Sequence, residues 1–97
     1  MAIKLITTFV RPNSSVAFWK FSDATKAHVV STYPTINATV TQTDSPDGLT
    51  RVVTRTFPNQ AAVDTWKADA AIVAAGAERN VYCASNNITF TNETVTV

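Results

Sequence analysis

The sequence predicts an α+β domain built as strand, helix, strand, strand, helix, strand, with an antiparallel sheet and helices on one of its faces. Three observations carry this. The chain opens on a strand-like apolar run, Ile3 to Val10. A tight turn, Ser45-Pro46-Asp47-Gly48, joins two alternating segments near the middle. A long stretch after Pro58 then repeats apolar residues at spacings of three or four.

The first strand, IKLITTFV, is apolar on both faces, which predicts cover on both sides. Arg11-Pro12-Asn13-Ser14-Ser15 breaks it. Val16 to Phe21 reads either as an extended aromatic stretch or as an early helical turn. Ser22 is a good N-cap with acidic Asp23 in the positive first turn. A first helix is expected to about Tyr33, with Lys26, Val29, Val30 and Tyr33 along one side and Pro34 ending it.

Ala38 to Asp44 alternates as a strand with threonines on its wetter side. Leu49 to Phe57 returns after the turn, placing Leu49, Arg51, Val53, Arg55 and Phe57 on one face. Asn59 caps a second helical region across Gln60 to Ala84. Its apolar stripe is Val63, Trp66, Ala70, Val73, Ala77, Val81 and Ala84, and Gly76 is the point where it would bend or divide. Asn86-Asn87 stops it. Ile88 to Thr91 is the last strand of the unit. The apolar parity then slips between Phe90 and Val95, which predicts a bulge or turn at Asn92-Glu93. Thr94 to Val97 is left as an extra strand, available to a partner's sheet.

The 97 residues make one domain and one core, residues 1–97. A chain of this size buries roughly 60–65% of its unfolded surface, so a sizeable cavity is expected to need a second copy of the chain. Charged residues are only 15% of the composition, which predicts apolar surface paired in an oligomer. The net charge of +1, with basic residues scattered along the sequence, argues against non-specific nucleic-acid binding. Cys83 is the single cysteine and forms no internal disulfide. No signal-peptide pattern opens the chain, and no apolar run approaches the about 20 residues that span a bilayer. A cytoplasmic setting and no membrane partner are therefore expected. The four Asn-x-Ser/Thr triplets, at Asn13, Asn37, Asn87 and Asn92, are what a chain with 16 Thr and 7 Asn yields by chance.

The order of elements is that of the ferredoxin-like βαββαβ fold. The join Phe57-Pro58-Asn59-Gln60-Ala61-Ala62 and the helix Val63-Asp64-Thr65-Trp66-Lys67-Ala68-Asp69 resemble the dimeric α/β-barrel proteins, of the antibiotic-biosynthesis-monooxygenase and stress-responsive-barrel type. There a strand ends in an aromatic, a small polar cap opens the helix, and an aromatic sits one turn in. The resemblance implies a homodimer whose sheets face each other and enclose a pocket, with a small aromatic or anionic ligand between subunits. It implies no particular activity, because the fold hosts unrelated functions. A cofactor-free monooxygenase or isomerase is one reading. The haem-degrading branch uses a His on the later helical region; Gln60 to Ala84 has none, so no haem or other cofactor is expected. The loop Arg11 to Val16 and the Thr-rich strands also resemble small proteins of tailed bacterial viruses, which adds a viral accessory or structural protein as a reading.

Few residues carry chemistry. His28, the only histidine, is either a base facing a pocket or an ordinary helix residue. Arg51 and Arg55 share a strand face at about 7 Å spacing, where they would grip a carboxylate or phosphate, or else pair with nearby acids. Trp19, with Phe18 and Phe21, and Trp66, with Tyr82, form either an aromatic wall or core packing. Cys83 reads as structural, and Asp23, Asp64 and Asp69 as helix-surface charges. No ligand cluster for a metal, no nucleophile triad and no Gly-rich phosphate loop is present in the sequence. The catalytic set is unassigned; the ligand candidates are Arg51, Arg55, His28, Trp19 and Trp66.

Overall fold

A computed structural model describes all 97 residues. Strand β1 spans Ile3–Val10. Helix α1 spans Asp23–Thr32, and the Ser22 hydroxyl accepts the Thr25 amide at its start. Helix α2, Pro34–Thr39, follows directly and leads to strand β2, Thr41–Asp44. Strand β3 is Thr50–Phe57. Helices α3, Gln60–Ala68, and α4, Ala70–Ser85, precede strand β4, Thr89–Thr96.

The sheet order is β2-β3-β1-β4 and every neighbouring pair is antiparallel. Each half is thus a split βαβ unit, with another strand lying between its two parallel strands, which is the ferredoxin-like α+β arrangement. Val16–Phe21 is extended, without helical turns. At the hairpin, Gly48 sits at φ 74° and its amide bonds Ser45 O at 2.9 Å, while Asp47 Oδ1 accepts the Leu49 amide.

Side chains alternate along each strand, so the register fixes the faces. Ile3 pairs with Phe57, Leu5 with Arg55 and Thr94, Thr7 with Val53 and Asn92, and Phe9 with Arg51 and Phe90. These residues share the face on which the helices pack; Ile3, Phe9 and Phe57 are at most 6% exposed. The opposite face carries Lys4, Ile6, Val52, Val95 and a row of threonines, and none of them is buried. The cover expected on that side of β1 is not supplied by this chain.

Four expectations from the sequence are corrected. Pro34 does not merely end α1 but stands at the first position of α2, where its missing N–H is an orphan donor anyway. Ile36 is thereby buried, and the strand expected from Ala38 begins only at Thr41. The second helical region divides at Asp69 rather than at Gly76. The division turns the expected stripe outward: Val63 and Trp66 are buried, but Val73 is 58% and Val81 68% exposed. The inward side of α4 is instead Ile72, Ala75, Gly76, Arg79 and Cys83. Val30 on α1 is exposed as well. Lastly, β4 has no bulge. It pairs with β1 without interruption from Thr89 to Thr96, and the Val97 amide bonds Ala2 O at 2.9 Å. Thr94 to Val97 therefore belongs to its own chain's sheet, and the apolar parity slips because Phe90 lies on the covered face and Val95 on the open one, with no break in the pairing.

The core is divided. One cluster holds Ile3, Val29, Tyr33, Ile36, Phe57, Val63 and Trp66. A second holds Phe9, Phe18, Cys83 and Ile88. Between them the covered face of the sheet carries Thr7, Val53, Arg55, Asn92 and Thr94.

Candidate functional site

A cleft of about 700 Å³ occupies that gap, between the sheet and the helices of a single chain. The expectation that a cavity needs a second copy is corrected: a core split in two leaves space that one close-packed cluster would fill. The floor is Leu5, Thr7, Val53, Asn92 and Thr94. The Thr7 hydroxyl donates to Asn92 Oδ1 at 2.8 Å, which aligns the floor and leaves the Asn92 amide nitrogen as a donor.

One wall is the extended segment Val16–Phe21. It is held down by Arg11, whose Nη1 donates to Val16 O at 2.9 Å, and by Tyr82, whose hydroxyl donates to Ala17 O at 2.6 Å. Phe18 is clamped between the guanidiniums of Arg11 and Arg51, each 4.5 Å from its ring centre. Arg51 also makes a two-pronged bond to Asp44, Nε to Oδ1 at 2.8 Å and Nη2 to Oδ2 at 3.0 Å. Hydrogen bonding to Asp44 raises the Arg51 pKa and lowers that of Asp44. Arg51 thus has a counter-ion.

Arg55 has none. It accepts aromatic faces, lying 4.9 Å from the Phe21 ring centre and 5.4 Å from that of Trp66, but pairs with no carboxylate. Burial pushes its pKa down to about 10, and the charge of Arg79 adds to the shift. Arg79 enters from α4 over the Phe90 ring at 4.5 Å. Its buried Nε has no hydrogen-bond partner, and burial lowers its pKa too. Gly76 lies one turn earlier on the same side of the helix. Two guanidiniums without counter-ions therefore meet a space lined by aromatic rings.

Trp66 stands behind this wall. It contacts Tyr33 at 5.1 Å and Phe57 at 5.6 Å edge-to-face, and Phe21 at 6.4 Å. Trp19 is half-buried, meets Phe21 edge-on at 5.3 Å, and lines the cleft. Of the residues expected from the sequence, Arg51, Arg55, Trp19 and Trp66 converge here. They do so on the helix side of the sheet. The open face, which would line a pocket between facing sheets, carries neither arginine. Arg79 was not among the expected residues; its signal was the Gly76, Arg79, Cys83 spacing, which puts all three on one helical side.

His28 lies outside the cleft. Its Nε2 meets Asp69 Oδ2 at 2.7 Å, and the same oxygen accepts the Tyr33 hydroxyl at 2.6 Å. Asp69 Oδ1 accepts the Ala71 amide at 2.9 Å, so this aspartate caps α4 as well. The expected surface role of Asp69 is corrected: it is a junction. The Tyr33 and His28 hydrogen bonds hold its carboxyl down at about 2, and burial together with Asp69 pushes Tyr33 up to about 12. Cys83 is 1% exposed within the second cluster, and burial raises its pKa, as suits an unreactive thiol.

These features define a ferredoxin-like α+β domain with an internal cationic cleft. No family model, curated protein or solved structure matches the chain, so this class rests on the strand order and on the cleft. No helix is long and apolar enough to cross a membrane.

Proposed function

We propose that this protein binds a small organic anion in the cleft, with Arg55 and Arg79 as the anion's partners and Trp19 and Phe21 beside its apolar part. The observation that carries the reading is the pair of guanidiniums without counter-ions facing a cavity of drug-like size. Such a pair is costly to enclose and gains most from an anion. Binding rather than turnover is favoured by the lining, which offers hydrogen-bond donors but no imidazole or thiol; its one carboxylate, Glu93, leaves on the opposite sheet face. Calorimetry with aromatic carboxylates and their uncharged amides tests this. The acids bind and the amides do not, and Arg55→Met abolishes the difference. Equal binding of acid and amide would overturn the reading.

A second reading, self-association through the open sheet face, draws on one observation: no element of the chain covers Ile6, Val52 and Val95 there. Light scattering at micromolar concentration decides it. A mass of about 10.5 kDa, that of one chain, would end it.

A further inference from the structure

The chain is almost neutral, yet its charges are not evenly placed. Of eight lysines and arginines, six line the cleft: Lys20, Lys26, Arg51, Arg55, Lys67 and Arg79. Of seven carboxylates only Glu93 lies along it, with its side chain directed away, and Asp44 offsets Arg51 alone, which leaves five cations without a carboxylate partner. Residues that are scattered in sequence are gathered in space.

The cations form two tiers. Arg55 and Arg79 are at depth, braced by Phe21, Trp66 and Phe90. Lys20, Lys26 and Lys67 stand exposed at the mouth, and none is paired with a carboxylate. A single carboxylate engages one guanidinium with both its oxygens, and leaves the second guanidinium and all three ammoniums without a partner. Two tiers of positive charge match a ligand with several anionic oxygens spread along its length. Phosphates fit this best, since guanidiniums fork onto them and lysines act as mobile point charges. Trp19 supplies a half-buried ring at the same mouth, a face on which an aromatic ring of the ligand stacks.

Resting on the binding reading above, we infer that the ligand is a phosphorylated aromatic compound of mononucleotide size, its phosphates reaching between the arginine pair and the lysine rim. A nucleic-acid strand fits less well. The cleft is bounded by sheet below and helix above, and the open sheet face has no aromatic residue on which bases could stack.

Titration calorimetry of the full chain at low salt tests this with ATP, ADP, AMP, adenosine, inorganic phosphate, indole-3-acetate and a short single-stranded oligonucleotide. Affinity is expected to rise roughly tenfold from AMP to ATP, to be lost for adenosine, and to fall as salt is added. Arg55→Met weakens ATP and AMP alike. Lys26→Gln, at an exposed position where folding is not at stake, weakens ATP more than AMP. Indole-3-acetate binding as tightly as ATP would overturn the phosphate inference and leave the anion site standing. An oligonucleotide binding more tightly than ATP would overturn it in favour of a strand. If no anion in the panel binds, this inference and the binding reading fall together.

Discussion

The Tyr33 hydroxyl donates a 2.6 Å hydrogen bond to the Asp69 carboxylate, across from the end of one helix to the gap between two others. His28 meets the same oxygen. This contact ties α1 to the α3–α4 junction and makes that junction sensitive to pH.

The sign follows from the two shifts. Asp69 titrates near 2 instead of 3.8, so its contribution is present above about pH 4 and is lost as pH falls through 2. Tyr33 titrates near 12 instead of 10.0, so its contribution is present below pH 10 and is lost as pH rises through 12. Arg55, lowered to about 10 from 12.5, acts in the opposite sense: stability is regained between those values. Thermal melts across pH should therefore show an acid limb that Asp69→Asn flattens. The alkaline limb should be steeper in Arg55→Met, and Tyr33→Phe should remove the part due to the phenol.

The two strand arginines should respond oppositely to the same change. Arg51→Met removes a two-pronged partner of Asp44 and half of the Phe18 clamp, and should lower Tm. Arg55→Met replaces an enclosed charge without a counter-ion by an apolar chain of similar reach. It should stabilise the free protein by roughly 1 kcal/mol, or about 4–8 °C in Tm. A lower Tm for Arg55→Met would mean that its stacking on Phe21 and Trp66 outweighs its desolvation.

The two glycines should also separate. At Gly76 an added Cβ would sit 3.8 Å from Arg79 Nη2, an ordinary contact, within a helix the glycine does not break. Gly76→Ala should stabilise by about 0.5–1 kcal/mol. At Gly48 the backbone is at φ 74°, and the Cβ would lie 3.3 Å from Arg11 Nη2. Gly48→Ala should destabilise by about 1–2 kcal/mol. Urea unfolding of both variants checks the pair.

Trp66 joins three rings and the Arg55 guanidinium at 6% exposure. Trp66→Ala should cost about 3–5 kcal/mol, a large share of the ~5–15 kcal/mol that holds a small domain. Trp66→Phe should keep the fold and retain most of the stability, as equilibrium unfolding would report.

Local signals led to most of the fold. The apolar run Ile3–Val10, the alternation over Leu49 to Phe57, the Asp47-Gly48 turn, and the caps Ser22 and Asn59 all act within a few residues, and each stands within a residue of where the pattern puts it. What the pattern missed depends on distant partners. Asp69 ends one helix and starts another because Tyr33 and His28 reach it from 36 and 41 residues away. A helical repeat drawn through that point keeps its period but loses its direction, so Val73 and Val81 read as core and are surface. The site behaves alike. Arg55 and the tryptophans were visible as residue types on one face, but nothing local distinguishes Arg51, which has Asp44 opposite, from Arg55, which has none. Arg79 and the lysines join only when α4 is laid across the sheet.

The division of the core has a mechanical side. Above the gap, α4 runs like a beam, with Ile72 resting in one cluster and Cys83 embedded in the other. Below it the sheet is an unbroken deck, and the Trp19–Phe21 edge contact is a strut between the supports. The walls are held apart by regular backbone at top and bottom, and mutual repulsion of the guanidiniums opposes inward collapse. A guest of the proposed kind would therefore enter a socket that is already standing, and little of its binding energy would be diverted to opening the structure.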